Sequence, residues 1–263
     1  MLLVFSCRGK EQWTHEDFFE QTFSVIQDKS IKRDSLNWKS LERTVRDSIR
    51  QFKTAEDAYR ALAYTIELIG DGHSVFLDPQ TPNRLTEDSS ELFYDTFVPV
   101  PAVLTKIVGG DIGYVKLTGY VANDERSKLY SLKIRKALYA LDSLSGLSGW
   151  ILYLRENMGG LHSMMPLGVA PLFQDSLVGI LVDNQNKYIT EHCTNRYFYF
   201  DNLKNDSMEV DLDLKLRNER KPVAVLIGSR TASAGETLAT AFKFQSSTKL
   251  FGSPTKGKTT GLE

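Results

Sequence analysis

The chain has 263 residues and a formal net charge of −1, from 32 basic and 33 acidic residues. Hydrophobic residues make up 41% of it and charged residues 25%, which are globular proportions and exclude a collagen-like repeat, a disulfide-rich scaffold and a long disordered tail. The near-zero charge carries no electrostatic signature of nucleic-acid binding, so no nucleic-acid partner is expected.

The N-terminus contains a short apolar run that ends at a cysteine, Val4-Phe5-Ser6-Cys7. A small residue before a cysteine is typical of a lipobox, although the apolar run is too short for a complete signal peptide. Cys7 is therefore a lipidation candidate in an exported protein of the cell envelope; the alternative is a frayed apolar terminus. No run of about 18 apolar residues occurs, so no transmembrane helix is expected.

Residues 15–69 have the periodicity of a helical module. Apolar residues recur there at three- and four-residue spacings, which indicates about three amphipathic helices. Thr54 is the expected N-cap of the last helix, and Gly70 its expected end. We assign residues 1–77 to an N-terminal segment with this module, and the stretch 78–96, which contains Pro, Asn and Ser, to a linker or loop.

The remainder, 97–263, alternates between strand and helix patterns. Strands are predicted over 97–108, 112–117, 149–154, 178–182, 187–191, 196–200, 222–227 and from 249, and helices over 124–141 and 234–244. The runs at 149–154 and 222–227 are continuously apolar, which predicts strands buried on both faces. The sequence thus predicts an α/β core behind a helical N-terminal module.

The strongest signal for chemistry is the strand–turn–helix pattern at 222–244, in which Ser233 falls at the start of the helix. Backbone N–H groups at a helix N-terminus favour negative charge, so a serine there can act as a nucleophile whose oxyanion is stabilised. The alternative is that Ser229, Thr231 or Ser233 only caps the helix. The pattern is not the G-x-S-x-G elbow of α/β-hydrolases, because position 231 is threonine.

A second signal follows the apolar strand at 149–154. Arg155 and Asn157 are followed there by two adjacent glycines, Gly159 and Gly160. Such a pair after a core strand indicates close approach of the backbone to another group, and its N–H groups could contribute to an oxyanion hole. The alternative is a plain turn.

Two loops supply candidates for a general base. His73 lies between Asp71 and Ser74, either of which could orient its ring; the alternative is a solvated histidine in a helix-capping loop. Lys258 follows Gly257 just after a strand, and a lysine whose pKa is lowered by burial can also act as a base; the alternative is a solvated basic loop. The four His and two Cys residues have no metal-binding spacing, so neither a metal nor a cofactor is expected.

In this order, the motifs D-G-H-S, R-x-N-x-G-G, T-A-S-A-x-E and T-x-G-K resemble those of the C-terminal-processing (tail-specific) serine peptidase family, from about residue 70 to the end. The resemblance implies a ClpP/crotonase-like core of ββα units behind a helical region. It also implies that Ser233 is the nucleophile and that the amides of Ala234 and of Gly159 or Gly160 form the oxyanion hole. Glu236 would be the family's acidic residue on the nucleophile helix.

Two departures favour one branch of that family. Too few residues separate the helical module from the core for a PDZ domain, and the segment after the glycine pair resembles the branch that contains the nisin resistance protein. In that branch the base is the histidine of H-S, here His73; in the processing branch it is the lysine of T-x-G-K, here Lys258. We favour His73, because an ordinary histidine is substantially neutral near pH 7 and a lysine is not. Family cores usually continue further beyond the lysine, so the chain could be a fragment.

The resemblance implies a serine endopeptidase that acts on peptides or unfolded protein tails in the cell envelope, with a lipid anchor as its membrane attachment. The alternative is a non-catalytic peptide-binding envelope lipoprotein on the same fold, because a fold does not determine a function. An esterase is disfavoured by the missing G-x-S-x-G elbow.

Overall fold

The computed structural model describes residues 13–74, 76, 78, 99–144, 146–183, 185–201, 208–211, 215–217 and 221–259. The chain divides into two compact units, one made of residues 1–85, 182–187 and 260–263 and the other of 86–181 and 188–259. Cys7 lies outside the described residues, and so does the predicted linker apart from Asp78. None of the helices in the described part of the chain has the length and hydropathy that a membrane span requires.

The first unit is helical, as its periodicity predicts. It contains α1 (His15–Lys29), α2 (Trp38–Ser48) and α3 (Ala55–Ile69). Phe19, Val45 and Leu62, one from each helix, are fully buried in their shared core. The two predicted boundaries of α3 are confirmed: Thr54 forms a capping box at its start, and Gly70 ends it in the left-handed conformation at φ 59°.

The rest of the described chain alternates between strands and helices. Its elements are β1 (Leu104–Val108), β2 (Ile112–Lys116), α4 (Asp124–Leu144), β3 (Gly149–Tyr153), α5 (Met164–Val169), β4 (Leu177–Val182), β5 (Tyr188–Cys193), β6 (Tyr197–Phe200), β7 (Met208–Glu209), β8 (Val223–Ile227), α6 (Ala234–Lys243) and β9 (Thr248–Gly252). Most lie within a few residues of their predicted bounds. The short elements α5 and β7 were not predicted, and β1 begins later than expected, since residues 99–103 are not strand.

Five strands form the main sheet, in the order β1-β2-β3-β8-β9. The β1–β2 hairpin is antiparallel as predicted, and the pairs β2–β3, β3–β8 and β8–β9 are parallel. Leu152 and Val225 on one face pack in a core with Leu138 of α4 and Leu238 of α6. The prediction that β3 and β8 are buried on both faces is wrong: their alternate residues, such as Ile151, are only half-buried, because these helices pack on one face.

A second sheet contains β4, β5, β6 and β7 in that order. It packs on α5 through a separate apolar cluster that includes Leu167, Val178 and Phe198. The parallel pair β3–β8 in the main sheet matters most for function, because the carboxyl ends of adjacent parallel strands lie at one edge of a sheet. Both the glycine pair and Ser233 follow these two strands.

Candidate active site

The loops after β3 and β8 are in direct contact. Tyr153 pairs with Leu226 across the two strands, so the following residues leave the sheet side by side. A Cβ atom built on Gly159 would lie only 2.7 Å from the Cβ of Ser233. The structure therefore brings together the glycine pair and the candidate nucleophile, which are far apart in sequence.

Ser233 occupies the N-cap position of α6 in a strained backbone conformation. Its φ of 51° and ψ of −127° make it one of two non-glycine residues with positive φ among those described. Such a conformation costs about 1–3 kcal/mol and is concentrated at functional sites. The Gly235 N–H donates to Ala232 O at 2.9 Å, and the Glu236 N–H donates to Ser233 O at 2.7 Å. The Ala234 N–H, next to the serine, donates to no acceptor among the described residues.

The two glycines of the pair differ in what their amides do. The Gly159 N–H donates to Asn157 Oδ1 at 3.0 Å, so it is engaged within its own loop. The Gly160 N–H has no acceptor in the part of the chain that the structure describes. Both residues need glycine, because φ is 106° at Gly159 and 147° at Gly160, and a Cβ atom on Gly160 would overlap the carbonyl of Tyr120.

Two buried polar residues hold these loops to each other and to the sheet. The fully buried Asn157 accepts the Ala232 N–H on its backbone oxygen at 3.0 Å. Thr231, also fully buried, donates its hydroxyl to Leu154 O at 2.8 Å and accepts the Gly228 N–H at 3.0 Å. The Thr231 hydroxyl therefore makes two structural hydrogen bonds that a glycine, as in the G-x-S-x-G pattern, could not make. The sequence alone did not predict this role.

Glu236 links the nucleophile turn to the loop that contains Lys258. Glu236 is only 3% exposed. Its Oε2 accepts the N–H groups of Ser233 at 2.9 Å and Lys258 at 2.7 Å, and its Oε1 accepts that of Gly257 at 2.6 Å. Because Ser233 and Lys258 share one oxygen, their amide nitrogens lie no further apart than the sum of those two distances. Burial raises the pKa of Glu236, but hydrogen bonds from Thr255 and the three amides outweigh it and hold the pKa below its ordinary value.

The His73 loop is organised by Asp71. Oδ1 of Asp71 accepts the backbone N–H groups of His73 and Ser74, each at 2.8 Å, and Oδ2 accepts the Ser74 hydroxyl at 2.5 Å. Burial raises the pKa of Asp71, and these hydrogen bonds lower it by more, so the carboxylate is favoured. His73 belongs to the first unit, whereas Ser233 and Lys258 belong to the second, so the identity of the base stays a prediction.

The remaining candidates are placed as follows. Arg155 is exposed at the start of the glycine loop. Cys193 is a buried free cysteine, and burial raises its pKa to about 12. Among the described residues, no group of three or more His, Cys, Asp and Glu side chains could hold a metal ion. His162, to which the sequence assigned no role, contacts the nucleophile helix through Thr237.

Comparisons with known proteins agree with the motif order. The family model of peptidase family S41 matches residues 111–262. The nisin-resistance protein of Lactococcus lactis subsp. lactis is 24% identical over 226 residues, which are 86% of this chain and 65% of that protein. The carboxy-terminal processing protease CtpA of Bacillus subtilis (strain 168) is 31% identical over 163 residues, 62% of this chain and 29% of that protein. The chain therefore spans less than two thirds of the length of either relative.

Solved structures share the fold at low sequence identity. A lipoprotein from Streptococcus agalactiae matches with a TM-score of 0.72 and 16% identity, covering 100% of this chain and 82% of that chain. The photosystem II D1 C-terminal processing protease matches with a TM-score of 0.59 and 16% identity, covering 94% and 83%. These likenesses concern the fold alone, and with the family match they confirm the predicted fold class.

Proposed function

We propose, since this chain belongs to peptidase family S41, that it is a serine endopeptidase that hydrolyses extended peptides or protein tails. The observation that supports this most directly is the strained Ser233 at the N-terminus of α6. It lies beside an Ala234 N–H that has no acceptor among the described residues, and against the glycine loop that carries Gly160.

The proposed reaction is acyl transfer to serine followed by hydrolysis. Ser233 Oγ attacks the scissile carbonyl carbon while the base removes its proton, and the base returns that proton to the leaving amine. The Ala234 and Gly160 amides receive the oxyanion of each tetrahedral intermediate, a contribution of about 3 kcal/mol per donor. Water, activated by the same base, then releases the acyl group and restores the serine. The Gly159 amide is not assigned to this role, because it already donates to Asn157.

We propose His73 as the base, with Lys258 as the alternative. An imidazole is substantially neutral near pH 7, whereas a lysine would have to lose its proton by a pKa shift of several units. The Asp71 side chain stabilises the His73 loop by accepting the backbone N–H of His73. Lys258, whose amide shares the Glu236 carboxylate with Ser233, would then shape the pocket or bind a substrate carboxylate.

The location we propose is the cell envelope. The similarity to the nisin-resistance protein and to CtpA supports an exported or envelope-associated protein. Lipid attachment through Cys7 is part of the proposal and rests on the Val4-Phe5-Ser6-Cys7 pattern alone. Mass spectrometry of the protein from membranes would reveal a lipidated N-terminal peptide if Cys7 is modified, and an unmodified thiol if it is not.

Labelling with a fluorophosphonate tests the nucleophile. Wild type should be labelled and should cleave an unstructured peptide, and Ser233→Ala should do neither. Ser229→Ala is a matched control, because Ser229 is exposed in the same turn and should leave both readouts unchanged. Full cleavage by the Ser233→Ala variant would overturn the proposal. A folded wild type that binds peptide without labelling or cleavage would instead favour the non-catalytic lipoprotein.

A pair of variants separates the candidate bases. With His73 as base, His73→Ala should lower kcat about 10²–10⁴-fold, the usual contribution of a general base, and Lys258→Ala should lower it much less. His15→Ala is the control, since His15 is an exposed histidine of the same unit. The reverse ranking of the two variants would assign the base to Lys258.

A further inference from the structure

His162 lies two residues after Gly160 and takes no part in the proposed reaction. Its Nδ1 lies 3.1 Å from Thr237 Oγ1 on α6, and its Nε2 lies 2.5 Å from Glu191 Oε1 on β5. Its ring stands edge-on to Phe198 of β6, with the centroids 5.5 Å apart and the planes at 89°. One imidazole at the end of the glycine loop thus contacts the nucleophile helix and two strands of the second sheet.

The carboxylate of Glu191, which His162 contacts, is buried in a space that a glycine leaves open. Glu191 is only 3% exposed, and a Cβ atom on Gly179 would overlap its carboxylate, so a glycine makes the space that the side chain occupies. A buried carboxylate is costly unless it is hydrogen-bonded, and Nε2–H of His162 is a donor for it. This contact sets the orientation of the ring and directs Nδ1 toward Thr237.

The Thr237 contact holds in either protonation state of the ring. Thr237 Oγ1 also lies 3.0 Å from Ala234 O and can donate its hydrogen there while it accepts one from Nδ1–H. When Nδ1 carries no proton, the same hydroxyl can donate to Nδ1 instead. The hydrogen bond between the glycine loop and α6 therefore does not depend on whether Nδ1 carries a hydrogen.

The contacts of His162 affect the two proposed oxyanion donors, the amides of Gly160 and Ala234. The glycine loop is also held by the Leu161 N–H, directly before His162, which donates to Tyr120 O at 3.2 Å, and by the close contact of Gly159 with Ser233. Thr237 lies one helical turn beyond Ser233, so the His162–Thr237 bond connects the loop that carries the Gly160 amide to the helix that begins at the Ala234 amide.

We propose that His162 is a positioning residue, which together with Glu191 and Thr237 sets the distance between the Gly160 and Ala234 amides. The inference rests on the proposed function. Because a displacement of about 1 Å in a catalytic arrangement can cost about 10²-fold in rate, His162→Ala should lower kcat by about 10²-fold. The KM for peptide should stay nearly constant, because an oxyanion donor acts in the transition state. The second-order rate of fluorophosphonate labelling should fall in parallel.

Two conservative variants give a readout that a merely structural role would not move. The amide of His162→Asn can reach the position of Nδ1 and the amide of His162→Gln that of Nε2, so each keeps one of the two hydrogen bonds. Each should recover at least tenfold of the kcat that His162→Ala loses. If His162→Ala does not fold, the same comparison is made between these two variants and wild type, and each should show a kcat at least threefold below wild type.

His192→Ala is the matched control, because His192 is a second, partly buried histidine on β5 that pairs with Asp201 and should leave kcat unchanged. A folded His162→Ala with a kcat within threefold of wild type, or with only its KM changed, would overturn the inference. If His162→Ala does not fold, His162→Asn and His162→Gln variants whose kcat equals that of wild type would also overturn it. A wild-type protein that is neither labelled nor active would overturn the proposed function itself, so the two failures are distinguishable.

Discussion

Replacement of Glu236 by glutamine tests whether one buried carboxylate holds the nucleophile turn and the Lys258 loop together. In the wild type, its two oxygens accept the N–H groups of Ser233, Gly257 and Lys258. Glutamine has one acceptor oxygen and one NH₂ donor, so at least one of these backbone N–H groups would face another donor. The carboxylate site is buried, so water cannot readily take the place of the lost acceptor.

The magnitude follows from these contacts. A hydrogen bond to a charged group contributes about 1.5–3 kcal/mol, and a buried donor left without a partner costs about 1–3 kcal/mol. If the amide oxygen replaces Oε2, the bonds to Ser233 and Lys258 weaken and that from Gly257 is lost. We therefore expect Glu236→Gln to lower the free energy of unfolding by about 3 kcal/mol, which for a unit of this size is a fall in Tm of about 6–12 °C.

The effect should depend on pH in a defined direction. The pKa of Glu236 is lower in the folded protein than its ordinary value, so its stabilisation is fully present above the ordinary carboxyl pKa. It is lost as the pH falls through the lower, folded-state pKa. Glutamine does not titrate at this position. The stability difference between wild type and Glu236→Gln should therefore be constant near pH 7 and shrink below about pH 4.

Urea unfolding followed by circular dichroism at pH 7 and below pH 4 measures this difference. Hydrogen exchange of peptides that span α6 reports the same change for the second unit alone. Glu156→Gln is the control, since Glu156 is an exposed carboxylate that pairs with Lys116, and it should have a much smaller effect. Equal stability of Glu236→Gln and wild type at pH 7, or a difference that persists unchanged in acid, would refute the reasoning.

Gly160, Thr231 and Cys193 each allow a further test of the site and its surroundings. Gly160→Ala should lower kcat at least 10²-fold, because the added Cβ overlaps a carbonyl and displaces an oxyanion donor. Gly146→Ala is the control: nothing lies within 4 Å of an added Cβ there, so the free energy of unfolding should change by less than about 0.5 kcal/mol. Thr231→Val should lower the free energy of unfolding by about 1–3 kcal/mol in urea titrations, because it removes two buried hydrogen bonds; an unchanged midpoint would contradict this. The Cys193 thiol, with its pKa raised to about 12, should resist a disulfide reagent at pH 8 until the protein is unfolded, and modification of its tryptic peptide in the native state would contradict its burial.

Part of the site could be read from local pattern. The three helices of the first unit follow from apolar periodicity, and the alternation of apolar strands with helices indicates an α/β core. Ser233 stands out because a strand, a turn and a helix follow one another within about twenty residues. The order of four short motifs then indicated the family that the family model confirms.

Other parts depend on which strands are neighbours. The pairing of β3 with β8 places Gly159 against Ser233, and no feature local to either segment predicts that contact. The burial of strands was overestimated for the same reason: an apolar run does not show whether helices pack on one face of the sheet or on two. His162 had no recognisable neighbours in sequence, because Glu191 and Thr237 reach it from distant elements.

The sequence by itself determined the family, the α/β class and the serine at the helix start, because helix periodicity, apolar strands and short motifs are properties of contiguous residues. Only the tertiary structure showed which amide of the pair Gly159 and Gly160 is available to an oxyanion, because the Gly159 amide donates to Asn157. It also showed that Glu236 joins Ser233 to Lys258, and that Thr231 is structural. The physical reason is that hydrogen-bond partners and close packing join residues far apart in the chain, so they exist only once the strands have taken their order in the sheet.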